Sequence, residues 1–385
     1  MTPDKPAAVE PVALEHRQRI AALTPLADVV AAIARGVEPV APRSLAPAAA
    51  LGAALAQDVA VTAPRPGARL ALADGFPVDS TLTAFADAYA PALLDAAEIA
   101  AGDAVPAGAD AVAPLDAVRW QHGRVELPVP VAPDTGVLLP GTDAAAGEVL
   151  WRAGHRLRAG DTAVMQAFGI AHAAVRRPRI AVARARDGDA VIDAIAPFLT
   201  AAIAGGGGEA IPAGGLDSVL TSVLAAGEAD AAVIIGGTGP GARDHSVHVL
   251  RRAGVVIVHG VAISPGETTA FGAASGRPVL LVPGRLDAAV AAWLMIGRPL
   301  LARLAGADPA SGLAIPGVLT AKIASAVGLT EIVLVRRDGA RFAPLASKYL
   351  PLAALAHACG FVVVPSASEG LPAGATVTAE PLGVQ

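Results

Sequence analysis

The segment Ala231–Val247, "AAVIIGGTGPGARDHSV", decides how the rest of the chain reads. Ala231–Ile235 carries no polar side chain, the composition of a strand buried on both faces, and it stops at Gly236-Gly237-Thr238-Gly239-Pro240-Gly241. A helical run follows Asp244. Strand, glycine turn and helix make one unit of a doubly wound sheet, whose ligands lie beyond the carboxyl ends of the strands. A glycine turn at a helix start can present backbone N–H groups to an anion, or it can be no more than a tight connection.

Outward from this segment the pattern repeats. "IAVA" (180–183), "VVIVHG" (255–260) and "PVLLVPG" (278–284) are apolar runs separated by Ala-rich helical stretches, which predicts a parallel sheet with helices on both faces. Asp217, Asp244 and Asp287 each sit where a helix N-cap is expected. Upstream, "LADVVAAIAR" (26–35) puts Leu26, Val29, Val30 and Ile33 on one helical face, with Gly36 as the stop. A second helical stretch is expected from about 45 to 56. From Pro64 to Gly160, prolines and glycines punctuate short strand-like pieces such as "GRVELPV" and "GVLLP", an irregular β-rich region. Beyond about 313, "EIVLVRR", "FVVVP" and "ATVTAEPL" around one short helix predict a small separate β domain. Residues 1–23, rich in proline and charge, read as a flexible leader.

A chain of 385 residues exceeds one ordinary core, so several domains are expected. Hydrophobic residues make up 54% of it but aromatics only 3%, so those cores must be built from small side chains. The N-terminal stretch has no apolar centre of a secretory signal, and no uninterrupted apolar run approaches the roughly 18 residues of a membrane span. A cytoplasmic protein that does not enter a membrane is expected. The single cysteine, Cys359, excludes an internal disulfide and a cysteine-cluster metal site, and is expected to be a buried small side chain. A net charge of −5 without a basic run argues against nucleic acid as a partner.

The chemistry-bearing residues gather at the ends of the apolar runs. Gly237–Ala242 fits the dinucleotide pattern G-x-G-x-x-A, but Pro240 falls inside it and the next strand ends in His259 rather than an acid. Arg243-Asp244 can be a cap with a surface charge, or can recognise a ligand or metal. His245 and His248 have metal-ligand spacing without an evident third ligand. Arg184 and Arg186, Pro265-Gly266-Glu267 and Pro283-Gly284-Arg285 follow the other strands. Arginines converging there would form an anion pocket, because guanidinium forks match phosphate oxygens; the alternative is scattered solvated charges. Asp74-Gly75 is a turn or part of a site.

The order of these features resembles the molybdopterin molybdotransferase family, the MoeA and gephyrin E-domain proteins. The resemblance rests on "GDAVPAGADAVAPLDAV" (102–118), "RRPRIAV" (176–182), "GGTGPGARD" (236–244), "HGVAISPGETTAFG" (259–272), "GRPVLLVPG" (276–284) and "LAALAHACGFVVVPSASEGLPAGATV" (352–377). It implies a multidomain α/β plus β fold in an elongated homodimer. After the leader, residues 24–60 with 136–177 would form domain I, 61–135 an inserted β-rich domain II, 178–312 a doubly wound molybdopterin-binding domain III, and 313–385 a C-terminal β domain IV. The site would be completed by the partner subunit's β-rich domain. The implied activity is a transferase reaction of molybdenum-cofactor biosynthesis: magnesium-dependent hydrolysis of adenylylated molybdopterin and insertion of the metal from molybdate.

By the same resemblance, Asp74, Asp187, Asp244 and Glu267 would be catalytic, with Asp187 and Asp244 as metal ligands. Gly236, Gly237, Thr238, Gly239, Gly241, Arg243, Arg184, Arg186, Pro265, Gly266, Pro283, Gly284 and Arg285 would hold the molybdopterin. The sequence departs from the family where the chemistry lies. Of Asp-Asn-Ser-x-Met-Asp-Gly only Asp74-Gly75 is kept; Thr-Gly-Asp-Glu is Ala185-Arg186-Asp187-Gly188; Pro-Gly-Asn-Pro is Pro283-Gly284-Arg285-Leu286. The glycine turn is closer to the Gly-Gly-Thr-Gly…Arg-Asp turn of molybdopterin adenylyltransferases. The family's lysine is Glu267, a charge reversal worth several kcal/mol at an effective dielectric of about 20, which argues against molybdate binding in the family's manner. Two functions are therefore expected in competition: a divergent molybdotransferase, or a non-catalytic molybdopterin or cofactor carrier that serves a molybdenum-enzyme client.

Overall fold

The strand-turn-helix units assemble around one six-stranded sheet. The computed structural model describes residues 17–95, 97–121, 124–186, 188–307 and 314–383. Its main elements are α1 (Leu26–Gly36), β1 (Arg179–Arg184), α2 (Ala190–Gly205), β2 (Glu209–Pro212), β3 (Ala231–Ile235), α3 (Ser246–Ala253), β4 (Gly254–His259), β5 (Ala270–Ala274), β6 (Arg277–Val282) and α4 (Leu286–Ala292). The strand order is β2-β1-β3-β6-β5-β4.

Alternate residues of β1, β3 and β6 divide between two cores. Ile180, Val182, Val233, Ile235, Leu280 and Val282 face Ile192, Ile195, Leu199 and Ile203 of α2. Ala181, Ala183, Ala232, Ile234, Val279 and Leu281 face Leu216, Leu220, Val247 and Leu250. Burial on both sides is why these strands are apolar throughout, and each large side chain so buried contributes about 1.5–3 kcal/mol.

The sheet is mixed rather than parallel. β2, β1, β3 and β6 run parallel, whereas β5 runs against them and pairs antiparallel with both β6 and β4. The cause is the two-residue connection Ser275-Gly276, both with positive φ (51° and 72°), which closes β5 onto β6 as a hairpin. From β1 the chain goes to one side to form β2, then returns to β3 on the other side. The carboxyl ends of β1 and β3 thus flank a topological switch point, the crevice where such sheets bind ligands.

Contacts divide the chain into two compact units: Asp58–Arg152, and the residues up to Gln57 together with those from Ala153 onward. Among the described residues, the expected α/β domain, the C-terminal domain and the parts 24–57 and 153–177 of domain I share one unit, whereas 58–60 and 136–152 fall in the other. The core of the shared unit runs without a break from Val29 and Ile33 of α1, through the sheet, to Ile332, Leu334 and Phe361 near the C-terminus. There Thr330–Asp338 pairs in parallel with Ile263–Ser264 and antiparallel with Gly360–Val364 and Arg341–Ala346. The other unit is β-rich, pairing Gly75–Val78 with Ala111–Pro114 over a small core of Val78, Ala111, Ala113, Leu127 and Val131.

Several local expectations are corrected. Residues 45–56 are not a helix but the strand Arg43–Leu45, a 3-10 turn Pro47–Ala50 and the strand Ala54–Leu55, because pairing with Ala173–Arg176 outweighs alanine's helix preference. None of the three expected caps holds: the N-cap positions are Gly215, His245 and Arg285. Cys359 is exposed, beyond the end of the helix Leu352–His357. The helical stretch Leu286–Ala305 has the length and apolar composition of a membrane span, with hydropathy 1.4, but 78% of that window is buried inside the protein, as in a core helix.

Candidate functional site

The turn after β3 is tied to the protein by its carbonyls. Ser246, wholly buried at the start of α3, donates from Oγ to Gly236 O (2.8 Å) and from its backbone N to Gly237 O (3.0 Å). Gln18 Nε2 donates to Gly237 O (2.7 Å) and Gly239 O (2.8 Å). His259 Nε2, at the end of β4, lies 3.0 Å from Thr238 O. In a planar trans peptide the N–H points opposite to the C=O. The N–H groups of Gly237, Thr238 and Gly239 are therefore turned away from these holders, and none has an acceptor among the described residues. At Gly237 the backbone has φ +71°, and a Cβ there would collide with Ser246 Oγ, so glycine is required.

Gly237, Thr238 and Gly239 line a cleft of about 220 Å3 at the switch point. Arg186 beyond β1, and Pro283, Gly284 and Arg285 beyond β6, line it as well. Arg186 Nη2 is 3.6 Å from Asp189, and its buried Nε has no hydrogen-bond partner among the described residues. Arg285 is more firmly engaged. It donates from Nε and Nη2 to the two oxygens of buried Asp287 (3.2 and 2.6 Å), and its guanidinium lies 5.4 Å from the Tyr349 ring centre. Hydrogen bonding to Asp287 raises its pKa against the opposing effect of burial, and the charges of Asp287 and Glu267 add to the rise. It is a guanidinium held in place.

Of the other expected residues that are described, all but Asp244 fall outside the cleft lining. Arg184 pairs with Asp193 at 2.9 Å, and Arg243 is exposed. Gly236 and Gly241 shape the turn, and Pro265 and Gly266 are buried. Asp187 lies outside the described residues. Asp244 lines the cleft, but its Oδ2 accepts from Gly241 N (3.1 Å), which makes it a brace of its own turn. Glu267 accepts from Gly266 N in the same way (3.1 Å). Asp74 belongs to Asp58–Arg152, where it accepts from Ala101 N (2.8 Å). Among the described residues no three His, Cys, Asp or Glu side chains gather as a cation would require, and His248 meets Arg251 instead. Asp189 and Asp244 are the two carboxylates that line the cleft among the described residues, a set that could hold magnesium only together with oxygens of a bound phosphate.

Three contributors were not anticipated. Asp189 caps α2, accepting from Val191 N and Ile192 N, and lines the cleft; an Asp directly before the apolar helix was a readable signal. Thr268, also in the lining, hydrogen-bonds Thr238 Oγ1 (2.8 Å). Gln18, expected in a flexible leader, is 2% exposed, and nothing local in the sequence marks it.

Comparison with known proteins gives the cleft its context. The model for "MoeA N-terminal region (domain I and II)" matches residues 14–169, and that for "Probable molybdopterin binding domain" matches residues 185–303. A Methanocaldococcus jannaschii relative is 31% identical over 151 residues, which is 39% of this chain and 36% of that protein. The chain thus spans about a third of that relative. A molybdopterin molybdenumtransferase of Staphylococcus aureus is 24% identical over 307 residues, 74% of this chain and 73% of that one. The crystal structure of a molybdopterin biosynthesis MoeA protein from Pyrococcus horikoshii superposes with a TM-score of 0.73 at 25% identity, over 94% of this chain and 99% of that one. With the two family models in tandem, and this fold carrying an open turn at its switch point, the chain belongs to the MoeA family, as a molybdopterin molybdenumtransferase-like protein of molybdenum-cofactor biosynthesis.

Proposed function

We propose that the cleft binds molybdopterin by its phosphate, with the glycine turn as the anion site and Arg186 and Arg285 as its cationic flank. One observation carries this reading: three successive N–H groups without acceptors among the described residues, on a turn whose carbonyls from Gly236 to Gly239 are held from behind. Oriented N–H groups and a guanidinium match phosphate oxygens in number and sign. The cleft of about 220 Å3 has room for a phosphate group between the turn and the two guanidinium groups. In this reading the protein is a homodimer whose partner subunit covers the pterin with its β-rich domain. In this reading the protein works in the cytoplasm and hands its ligand to a molybdenum-enzyme client.

A second reading, turnover of the adenylylated form, is favoured by the two carboxylates, Asp189 and Asp244, that line the same cleft. Titration with molybdopterin and its adenylylated form, with and without magnesium and molybdate, separates the two. Stoichiometric binding without AMP release is expected of a carrier, and AMP release that depends on magnesium would make the protein an enzyme. Absence of binding to either compound would overturn both.

A further inference from the structure

We propose that Gln18 is a positioning residue for the anion site, holding the peptides of the glycine turn so that their N–H groups face the cleft. The inference rests on the reading of that turn as an anion site, and the experiment below separates the two. All the strong hydrogen-bonding capacity of this carboxamide is directed at one place. Its nitrogen gives one bond each to Gly237 O and Gly239 O, and its oxygen accepts from Val247 N (2.9 Å), an N–H in the first turn of α3 that would otherwise lack a partner. The residue reaches across 219 positions of sequence to Gly237.

The segment that carries it is anchored along its length. Thr24 bridges Val261 in parallel, with Thr24 N donating to Gly260 O (3.0 Å) and Ala262 N to Thr24 O (2.8 Å). Ile20 and Leu23 press on Gly260, where a side chain would have no room. Gln18 is thereby delivered to the back of the turn from a fixed track beside His259. Without it, the peptide between Gly237 and Thr238 keeps only Ser246 N as a holder, and the carbonyl of Gly239 keeps none among the described residues. Since Pro240 has no N–H, the Gly239 carbonyl can bring no donor to the ligand, and rotated forward it would set a negative dipole where an anion sits. No other residue type has two donors and one acceptor in a neutral planar head of this reach, apart from the shorter asparagine.

The test uses the full chain and sulfate, whose charge is the same at mildly acidic and mildly basic pH, followed by calorimetric titration with the melting temperature recorded for each protein. At about pH 8, Gln18→Met and Gln18→Glu are each expected to weaken sulfate binding about tenfold or more, the loss of buried hydrogen bonds to the turn. At about pH 5, where burial favours the neutral acid, Gln18→Glu regains a donor and should recover part of the affinity, while Gln18→Met should not. A folded Gln18→Met protein that binds sulfate as the wild type does would overturn the role of Gln18. So would a Gln18→Glu protein whose deficit is the same at both pH values. If the wild type itself takes no sulfate, the anion-site reading fails first.

Discussion

At the scale of residues, the two arginines that line the cleft are held in different ways. Arg285 belongs to a fixed array with Asp287 and Tyr349, whereas Arg186 retains a buried donor without a partner among the described residues. The two arginines should therefore respond differently to removal. Arg186→Ala is expected to weaken anion binding by about 1–3 kcal/mol with little change in unfolding free energy. Arg285→Ala should lower both, because among the described residues it leaves the buried carboxylate of Asp287 with only Leu350 N at 3.4 Å, again about 1–3 kcal/mol in urea unfolding. Adding Asp287→Asn should restore part of that stability, and equal unfolding curves for wild type and Arg285→Ala would refute the account.

At the scale of elements, helix ends show what could be read and what could not. Asp161 sits in the first turn of the helix Ala159–Ala167 and accepts from Arg158 N (2.8 Å), while His155 Nε2 lies 2.8 Å from the same oxygen. Burial pushes its pKa up, but hydrogen bonds from Arg158 and His155 prevail and hold it at about 2, against an ordinary 3.8. A depressed carboxylate pKa stabilises the fold above the unfolded value and loses that contribution as pH falls toward the folded one. About 2 kcal/mol should thus disappear between about pH 4 and 2, and Asp161→Asn should flatten that limb of the pH–stability curve. The same kind of signal was legible at Asp189, an Asp before an apolar helical run. It misled at Asp217, Asp244 and Asp287, because local propensity does not distinguish a cap from an acid one or two residues away that answers to another partner. The hairpin β5–β6 escaped for a related reason: its turn is only Ser275-Gly276, inside a stretch whose composition suits either direction of pairing.

At the scale of the whole molecule, the proposed homodimer has a direct test. Light scattering is expected to give twice the 38.0 kDa of the chain, and a monomer at micromolar concentration would remove the support for a shared site. The apolar runs at 180–183, 231–235 and 278–284, the glycine turn that ends one of them and the β-rich character of the insert were determined by the sequence alone, because burial on both faces and positive φ restrict residue type position by position. Which acids and cations would share a cleft was not. Asp74 fell in a separate unit, Arg184 and Glu267 turned to local partners, and a glutamine from the expected leader became the support of the turn. Local rules act over a few residues, whereas the single core running from α1 to Phe361 brings together segments hundreds of positions apart, and only that packing decides which side chains meet.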